Sequence, residues 1–207
     1  TLKRALPSVH AFIDKTWKPA ATPAPVAPAV TAPSPNSPNT KTPMTPTAIA
    51  DVPAAATSNP VASGPKTIIA GSDHGGLQLK NALVSALRAQ GHTVEDIGTY
   101  TTDRVDYPDY AKIVAQHVLA GDFQTGLLVC TTGIGMSQAA NRYKGIMAAL
   151  LCDKNSAVMT RKHNNANVMV FSGNTDTAAA TEMAEAFLST GFEAGRHETR
   201  VTKMNSG

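Results

Sequence analysis

The stretch Leu127-Leu128-Val129-Cys130-Thr131-Thr132-Gly133-Ile134-Gly135-Met136-Ser137 decides the fold of this chain. Leu127–Cys130 is a short apolar run without alternation, as in a strand buried on both faces. A polar turn with two glycines follows, and a helical pattern over Met136–Arg142 comes next. Strand, glycine turn and helix in that order are the repeating unit of a parallel sheet.

The same rhythm extends outward in both directions. Further apolar runs lie at Thr67–Ala70, Thr93–Ile97, Ile146–Leu151 and Val168–Phe171. Helical stripes separate them. Leu79, Leu83 and Leu87 repeat at intervals of four, and Tyr110, Ile113, Val114 and Val118 share one face. Asn155–Lys162 and Ala178–Leu188 read as helices too. Alternating strands and helices require right-handed crossovers and a parallel sheet covered on both sides. The expectation for 66–207 is a doubly wound, Rossmann-like α/β domain with five parallel strands in the flavodoxin-like order 2-1-3-4-5.

Upstream the texture changes. In residues 19–65 lie all of the prolines except Pro7 and Pro108, with Lys41 and Asp51 as the charges. Proline removes backbone donors, and small side chains cannot offset the entropy of ordering. A disordered, polyproline-like linker is expected there. Leu2, Leu6, Val9, Ile13 and Trp17 fit a helical stripe in 1–18, so the linker reads as a tether to an upstream fused domain or as a plain tail.

Bulk composition excludes several classes. The net charge is +3 and aromatics are 5% of the chain. Neither a basic run nor a stacking platform for nucleic acid is present. No apolar stretch approaches the ~20 residues of a membrane helix. Two cysteines, Cys130 and Cys152, make no disulfide framework and fit a reducing cytoplasm.

Ligands of such sheets bind beyond the carboxyl ends of the strands, where strand order reverses. In the expected order that point lies between strands 1 and 3. The turns there read Gly71-Ser72-Asp73-His74-Gly75-Gly76 and Cys130 to Ser137. Gly133 and Gly135 allow successive N–H groups, with the helix starting near Ile134, to converge on an anion. Such a nest favours an oxyanion and favours the thiolate of a cysteine at its edge. Cys130 then reads as a base for proton abstraction beside a carbonyl, or as a buried strand-end thiol. Asp73 and His74 read as a proton-handling or phosphate-binding pair, or as a helix cap and a surface histidine. Arg196 and Arg200, four apart, read as a phosphate grip on one helix face or as a solvated tail.

Five ordered motifs carry a family resemblance. They are Gly71 to Gly76, Val105-Asp106-Tyr107-Pro108-Asp109-Tyr110-Ala111, Cys130 to Ser137 with Ala139-Ala140-Asn141, His163-Asn164-Asn165-Ala166-Asn167, and Phe192-Glu193-Ala194-Gly195-Arg196-His197. Together they resemble the ribose-5-phosphate isomerase B family, with its galactose-6-phosphate isomerase relatives. The resemblance implies an aldose–ketose isomerase without metal or other cofactor, acting on a small phosphorylated sugar through a cis-enediolate. It implies Cys130 as base, Thr132 with the N–H groups of Gly133, Ile134 and Gly135 as oxyanion site, and His163 as ring opener. Asp73 would handle hydroxyl protons. His74, Arg196 and Arg200 would hold phosphate, and Tyr107 and Asn164 would touch the sugar. It further implies a homodimer or tetramer whose sites are shared, His163 serving a neighbour's Cys130.

Thr131 departs from the pattern, which has glycine there. A β-branched side chain takes room from the substrate. A four-carbon pair, erythrose and erythrulose phosphates, is therefore kept beside ribose 5-phosphate, and a silent sugar-phosphate-binding subunit is kept as a third reading. A dinucleotide binder is disfavoured, since no Gly-x-Gly-x-x-Gly follows the first strand.

Overall fold

A computed structural model describes residues 64–206. The expectations for 1–18 and for all of 19–65 except Gly64 and Pro65 lie outside those residues. The strands are β1 (Thr67–Ser72), β2 (Thr93–Asp96), β3 (Thr125–Cys130), β4 (Ala148–Leu150) and β5 (Val168–Ser172). The helices are α1 (Leu77–Ala89), α2 (Tyr107–Leu119), α3 (Ile134–Ala140), α4 (Lys154–Asn164), α5 (Thr177–Ser189) and α6 (Glu198–Ser206), with a 3-10 turn at Gly195–His197.

All strand pairs are parallel, and the five-stranded sheet is doubly wound, as expected. Its order is β2-β1-β3-β5-β4, so the last two strands stand exchanged relative to the flavodoxin-like order 2-1-3-4-5. Composition explains the exchange. Val168, Met169, Val170 and Phe171 are fully buried, while Ala148–Leu150 is a short strand of half-buried residues. The bulky apolar run gains more from a central position, covered on both faces, and the short strand blunts the edge.

One face of the sheet packs against α1, α4 and α5. Leu79, Leu83 and Leu87 meet Ile68, Leu127, Phe171 and Phe187 there. The stripe at intervals of four is thus the buried side of α1. On the other face, α2 and α3 contribute Ala111, Val114, Ala115, Met136 and Ala140. Gly126 lets α2 come close, because a Cβ there would stand 2.6 Å from Val114 Cγ1.

An ion pair on a buried lysine braces the β1 side of the switch point. Lys80 is fully buried and places Nζ 2.6 and 2.7 Å from the two oxygens of Asp96. Asp96 Oδ1 also accepts the N–H of Gly98, and the Lys80 ammonium lies 5.1 Å from the Tyr100 ring centre. The loop so held braces β1 by its backbone. Ser72 N donates to Gly98 O at 2.7 Å, and Thr99 N donates to Ser72 O at 3.0 Å. The end of β1, where Asp73 begins the turn, is fixed from that side.

Candidate active site

Three turns meet beyond the carboxyl ends of β1, β3 and β5. Asp73 is buried, its N–H donates to Val129 O, and its Oδ1 accepts the N–H of Gly76 at 2.9 Å. Gly75 lies directly under Thr131, since a Cβ on it would stand 2.1 Å from Thr131 Oγ1. Gly173 presses on the same turn, where a Cβ would come within 2.4 Å of Gly75 O. The third turn also grips the second. Gly173 N donates to Cys130 O at 2.8 Å, and Ser172 Oγ donates to Thr131 O at 2.9 Å.

Cys130 ends β3 with only 4% of its surface exposed. Its Sγ accepts the N–H of Gly133 at 3.2 Å. Gly133 can aim that N–H because its φ is +74°, a left-handed conformation that glycine adopts without penalty. Thr132 is exposed and its Oγ1 accepts the N–H of Ile134 at 3.4 Å. The helix begins at Ile134, where its start is expected, and ends at Ala140, two residues short of the Met136–Arg142 pattern. Tyr107 opens α2 and lies against Gly135, where a Cβ would stand 2.7 Å from the ring. His74 Nδ1 accepts the N–H of Val105 at 3.4 Å. Gly133→Ala is expected to cost ~1–3 kcal/mol of stability, because alanine must be held in left-handed geometry. A denaturant midpoint measures it.

The second group of expected residues lies at the opposite edge of the sheet. Helix α4 runs back from the end of β4 to the start of β5 and ends at His163 and Asn164. Cys130 pairs with Ser172, at the far end of β5 from Val168. Four residues of strand separate the two ends, about 13 Å at ~3.3 Å per residue. The structure brings Asp73, His74, Tyr107, Cys130, Thr132, Gly133, Ile134 and Gly135 to one edge. It places His163, Asn164, Arg196 and Arg200 at the other, so one chain does not join the two sets.

At this second edge the rings of His163 and His197 stack, with centroids 4.2 Å apart and planes at 10°. Glu193 Oε2 lies 3.9 Å from His163 Nε2, and Glu193 Oε1 lies 3.0 Å from Lys162 Nζ. Arg196 Nε donates to His197 Nε2 at 3.3 Å. Arg196 sits in the 3-10 turn and Arg200 in α6, so they do not share one regular helix face, yet the charges of both bear on His197. Of the expected site residues Asn164 lines a cavity of about 470 Å³, between the turn after α3, Thr160 of α4, and Met204 of α6.

Among the described residues, His163, Glu193 and His197 are also the set that could hold a metal, with ligand atoms all within 4.8 Å. Parallel rings direct their lone pairs side by side rather than at one point, and Arg196 already uses His197 Nε2. Burial pushes the His197 imidazole below its ordinary value of 6.5, with the charges of His163, Arg196 and Arg200 adding to the effect. In the unfolded chain the ring regains its ordinary affinity for protons. Stability from this group is then full above that ordinary value and is lost as pH falls through the folded one. A denaturant midpoint that drops between about pH 7.5 and about 5.5, and drops less in His197→Gln, is the expected result.

Ser172, Gly173 and Asn174 are site neighbours that sequence pattern does not single out, and Glu193 and His197 are neighbours to which it gives no role. The expected strand order puts strand 5 at the edge, away from Cys130, and leaves Ser172–Asn174 without a role. With β5 beside β3, this polar turn with its glycine becomes the third wall of the site. Glu193 and His197 belong to the Phe192–His197 motif, which by itself assigns them no function.

The ribose/galactose isomerase family profile matches residues 68–204. The chain belongs to that family. Ribose-5-phosphate isomerase B of Escherichia coli is 40% identical over 142 residues, covering 68% of this chain and 95% of the relative. A ribose 5-phosphate isomerase structure from Thermotoga maritima matches with a TM-score of 0.68 and 45% identity, over 69% of this chain and 99% of that one. The Mycoplasma genitalium ribose-5-phosphate isomerase B, solved with ribulose-5-phosphate bound, matches at 0.65 and 37% identity, over 68% and 94%. As a member of the ribose/galactose isomerases, the chain is a sugar-phosphate isomerase that interconverts an aldose and a ketose. No helix among the described residues is long and apolar enough to cross a membrane.

Proposed function

We propose that this isomerase moves a proton between C1 and C2 of an open-chain phosphorylated sugar through a cis-enediolate, with Cys130 as base. The observation that carries the reading is the N–H of Gly133 donated to Cys130 Sγ, which seats the sulfur at the edge of the glycine turn. The thiolate takes the proton from C2. The C–H electrons form the C1=C2 bond, and the carbonyl electrons move onto O1. Thr132 and the N–H groups of Gly133, Ile134 and Gly135 would face that oxyanion. The C1=C2 electrons then take the proton back at C1, O2 gives up its proton and becomes the ketone oxygen, O1 gains a proton, and Asp73 relays it between the two oxygens.

Phosphate binding, ring opening and sugar contact draw on both residue groups. His74, Arg196 and Arg200 would hold the phosphate, His163 would open the sugar ring, and Tyr107 and Asn164 would contact the chain of hydroxyls. Because these residues divide between two edges of the sheet, a complete site would require the Cys130 edge of one copy against the His163 edge of another. A homodimer or tetramer with shared sites follows from this reading.

Ribose 5-phosphate and ribulose 5-phosphate are the first substrate pair, in line with the bound ketose of the Mycoplasma neighbour. A four-carbon pair has one observation in its favour. The Thr131 side chain occupies the space above Gly75, between the two turns of the site. Assays on ribose 5-phosphate, allose 6-phosphate and erythrose 4-phosphate, each with its ketose, would test the choice. If Thr131 limits size, Thr131→Gly raises kcat/KM for the five-carbon sugar relative to the four-carbon one by on the order of tenfold or more. An unchanged ratio would remove Thr131 from the specificity argument. Turnover of none of the three pairs would leave the silent binding subunit as the reading.

A further inference from the structure

We propose that Glu193 is a positioning residue for His163, holding its imidazole as the proton donor of ring opening, with His197 as the neutral ring stacked behind it. The inference rests on the reading of His163 as ring opener. Its grounds are geometric. Glu193 is tied to α4 twice, through its N–H to Lys162 O at 3.0 Å and through Oε1 to Lys162 Nζ at 3.0 Å. One carboxylate oxygen is thereby occupied, and Oε2 faces His163 Nε2 at 3.9 Å. That distance is an ion-pair contact, longer than a hydrogen bond.

The charges around His163 give Glu193 its place. The ring has Lys162 on its own helix, Glu193 on the loop that follows α5, and Arg196, His197 and Arg200 beyond it. Three of these are permanent cations, and a proton on His163 adds another positive charge. Glu193 is the anion of the set. Its hydrogen bond to Lys162 holds its carboxyl below the ordinary carboxylate value, so it meets His163 ionised at neutral pH.

His197 completes the arrangement. It is buried, and Arg196 Nε donates to its Nε2, so its own proton sits on Nδ1 and the ring is neutral. A neutral ring stacked on His163 fixes the orientation of His163 without competing charge. His163 and Glu193 together then form a donor and its counter-ion.

Ring opening balances with one proton in and one out. The bond between C1 and the ring oxygen breaks, and its electron pair goes to that oxygen, which takes the proton of His163. The C1 hydroxyl gives up its proton to Asp73 of the facing copy, and C1 becomes the aldehyde carbon.

Sugar chemistry provides the test. Ribose 5-phosphate closes a five-membered ring through its C4 hydroxyl. Ribulose 5-phosphate cannot, because the C5 oxygen it would need carries the phosphate. Ring opening is therefore required from aldose to ketose and not in reverse, since the aldehyde formed in reverse can leave and close in solution. In the full-length enzyme, Glu193→Gln is expected to lower kcat on ribose 5-phosphate by on the order of tenfold or more, and to keep the initial rate on ribulose 5-phosphate within about twofold. The ketose direction also checks that the fold and Cys130 are intact. Equal losses in both directions, or no loss in either, would overturn the proposal. His163→Asn measured alongside separates it from its premise. A direction split in His163→Asn but not in Glu193→Gln rejects Glu193 alone. No split in His163→Asn rejects the ring-opening role itself.

Discussion

Cys130→Ala is expected to lower kcat by about 10²- to 10⁴-fold while a phosphorylated sugar still binds. The thiol is 4% exposed and held at the end of a central strand, so alanine removes little packing and leaves the turn in place. Asp73, His74 and Thr132, the proposed contacts at that edge, keep their backbone anchors, because Asp73 N bonds Val129 O and not the cysteine. Loss of turnover with unchanged binding then isolates proton transfer from substrate capture. Isothermal titration with ribulose 5-phosphate and a turnover assay on the same preparation decide it. An active Cys130→Ala enzyme would sink the assignment of the base. Lost binding together with lost turnover would mean that the thiol contributes to the shape of the site.

The second large effect concerns two inactive variants that restore each other. In this reading Cys130→Ala lacks the base, and His163→Asn lacks the ring opener at the opposite edge. An isologous dimer places the Cys130 edge of each copy against the His163 edge of the other. In a mixed dimer one site carries both changes and the other carries neither. Random reassortment of equal amounts makes half of the dimers mixed. About a quarter of the wild-type rate on ribose 5-phosphate should then return. Mass spectrometry of the mixture confirms that subunits exchanged. Exchange without recovery would show that His163 serves its own chain or does not act. Cys130 lies at one end of the sheet and His163 before the start of β5, whose own length is about 13 Å, and that placement is the reason to expect recovery.

Much of the first edge is legible in the residues themselves. Leu127–Cys130 followed by Thr131-Thr132-Gly133 points to a strand and a nest, and the contact from Gly133 N to Cys130 Sγ is of the kind that this reading requires. Asp73 and His74 lie in the turn next to it, as the β1–β3 switch point demands. The exchange of β4 and β5 departs from the expected order, although Val168–Phe171 is bulkier than the alanine-rich strand that precedes it. That contrast in bulk is the signal that favours β5 for the centre. The position of Ser172, Gly173 and Asn174 as a wall of the site follows from the exchange, so an order with β5 at the edge hides it.

The expectation for Arg196 and Arg200 shows a different limit. Spacing of four implies one helix, yet the 3-10 turn at Gly195–His197 breaks the register. Both arginines still border His197, because a contact around a central ring needs proximity and not a shared helical face. Glu193 has no periodic signal for a role. Its position depends on an N–H bond to Lys162, thirty-one residues earlier, which local pattern does not encode.

Local residue types alone determined the alternation of strands and helices, the two reactive turns and the thiol at the end of β3. These follow from hydrophobic period and glycine placement, which act over a few neighbours. Tertiary structure decided which strands are neighbours, which face each turn meets, and that the two sets of site residues stand at opposite edges. Those outcomes come from competition among distant apolar segments for the buried centre of one sheet, and only the packed chain resolves that competition.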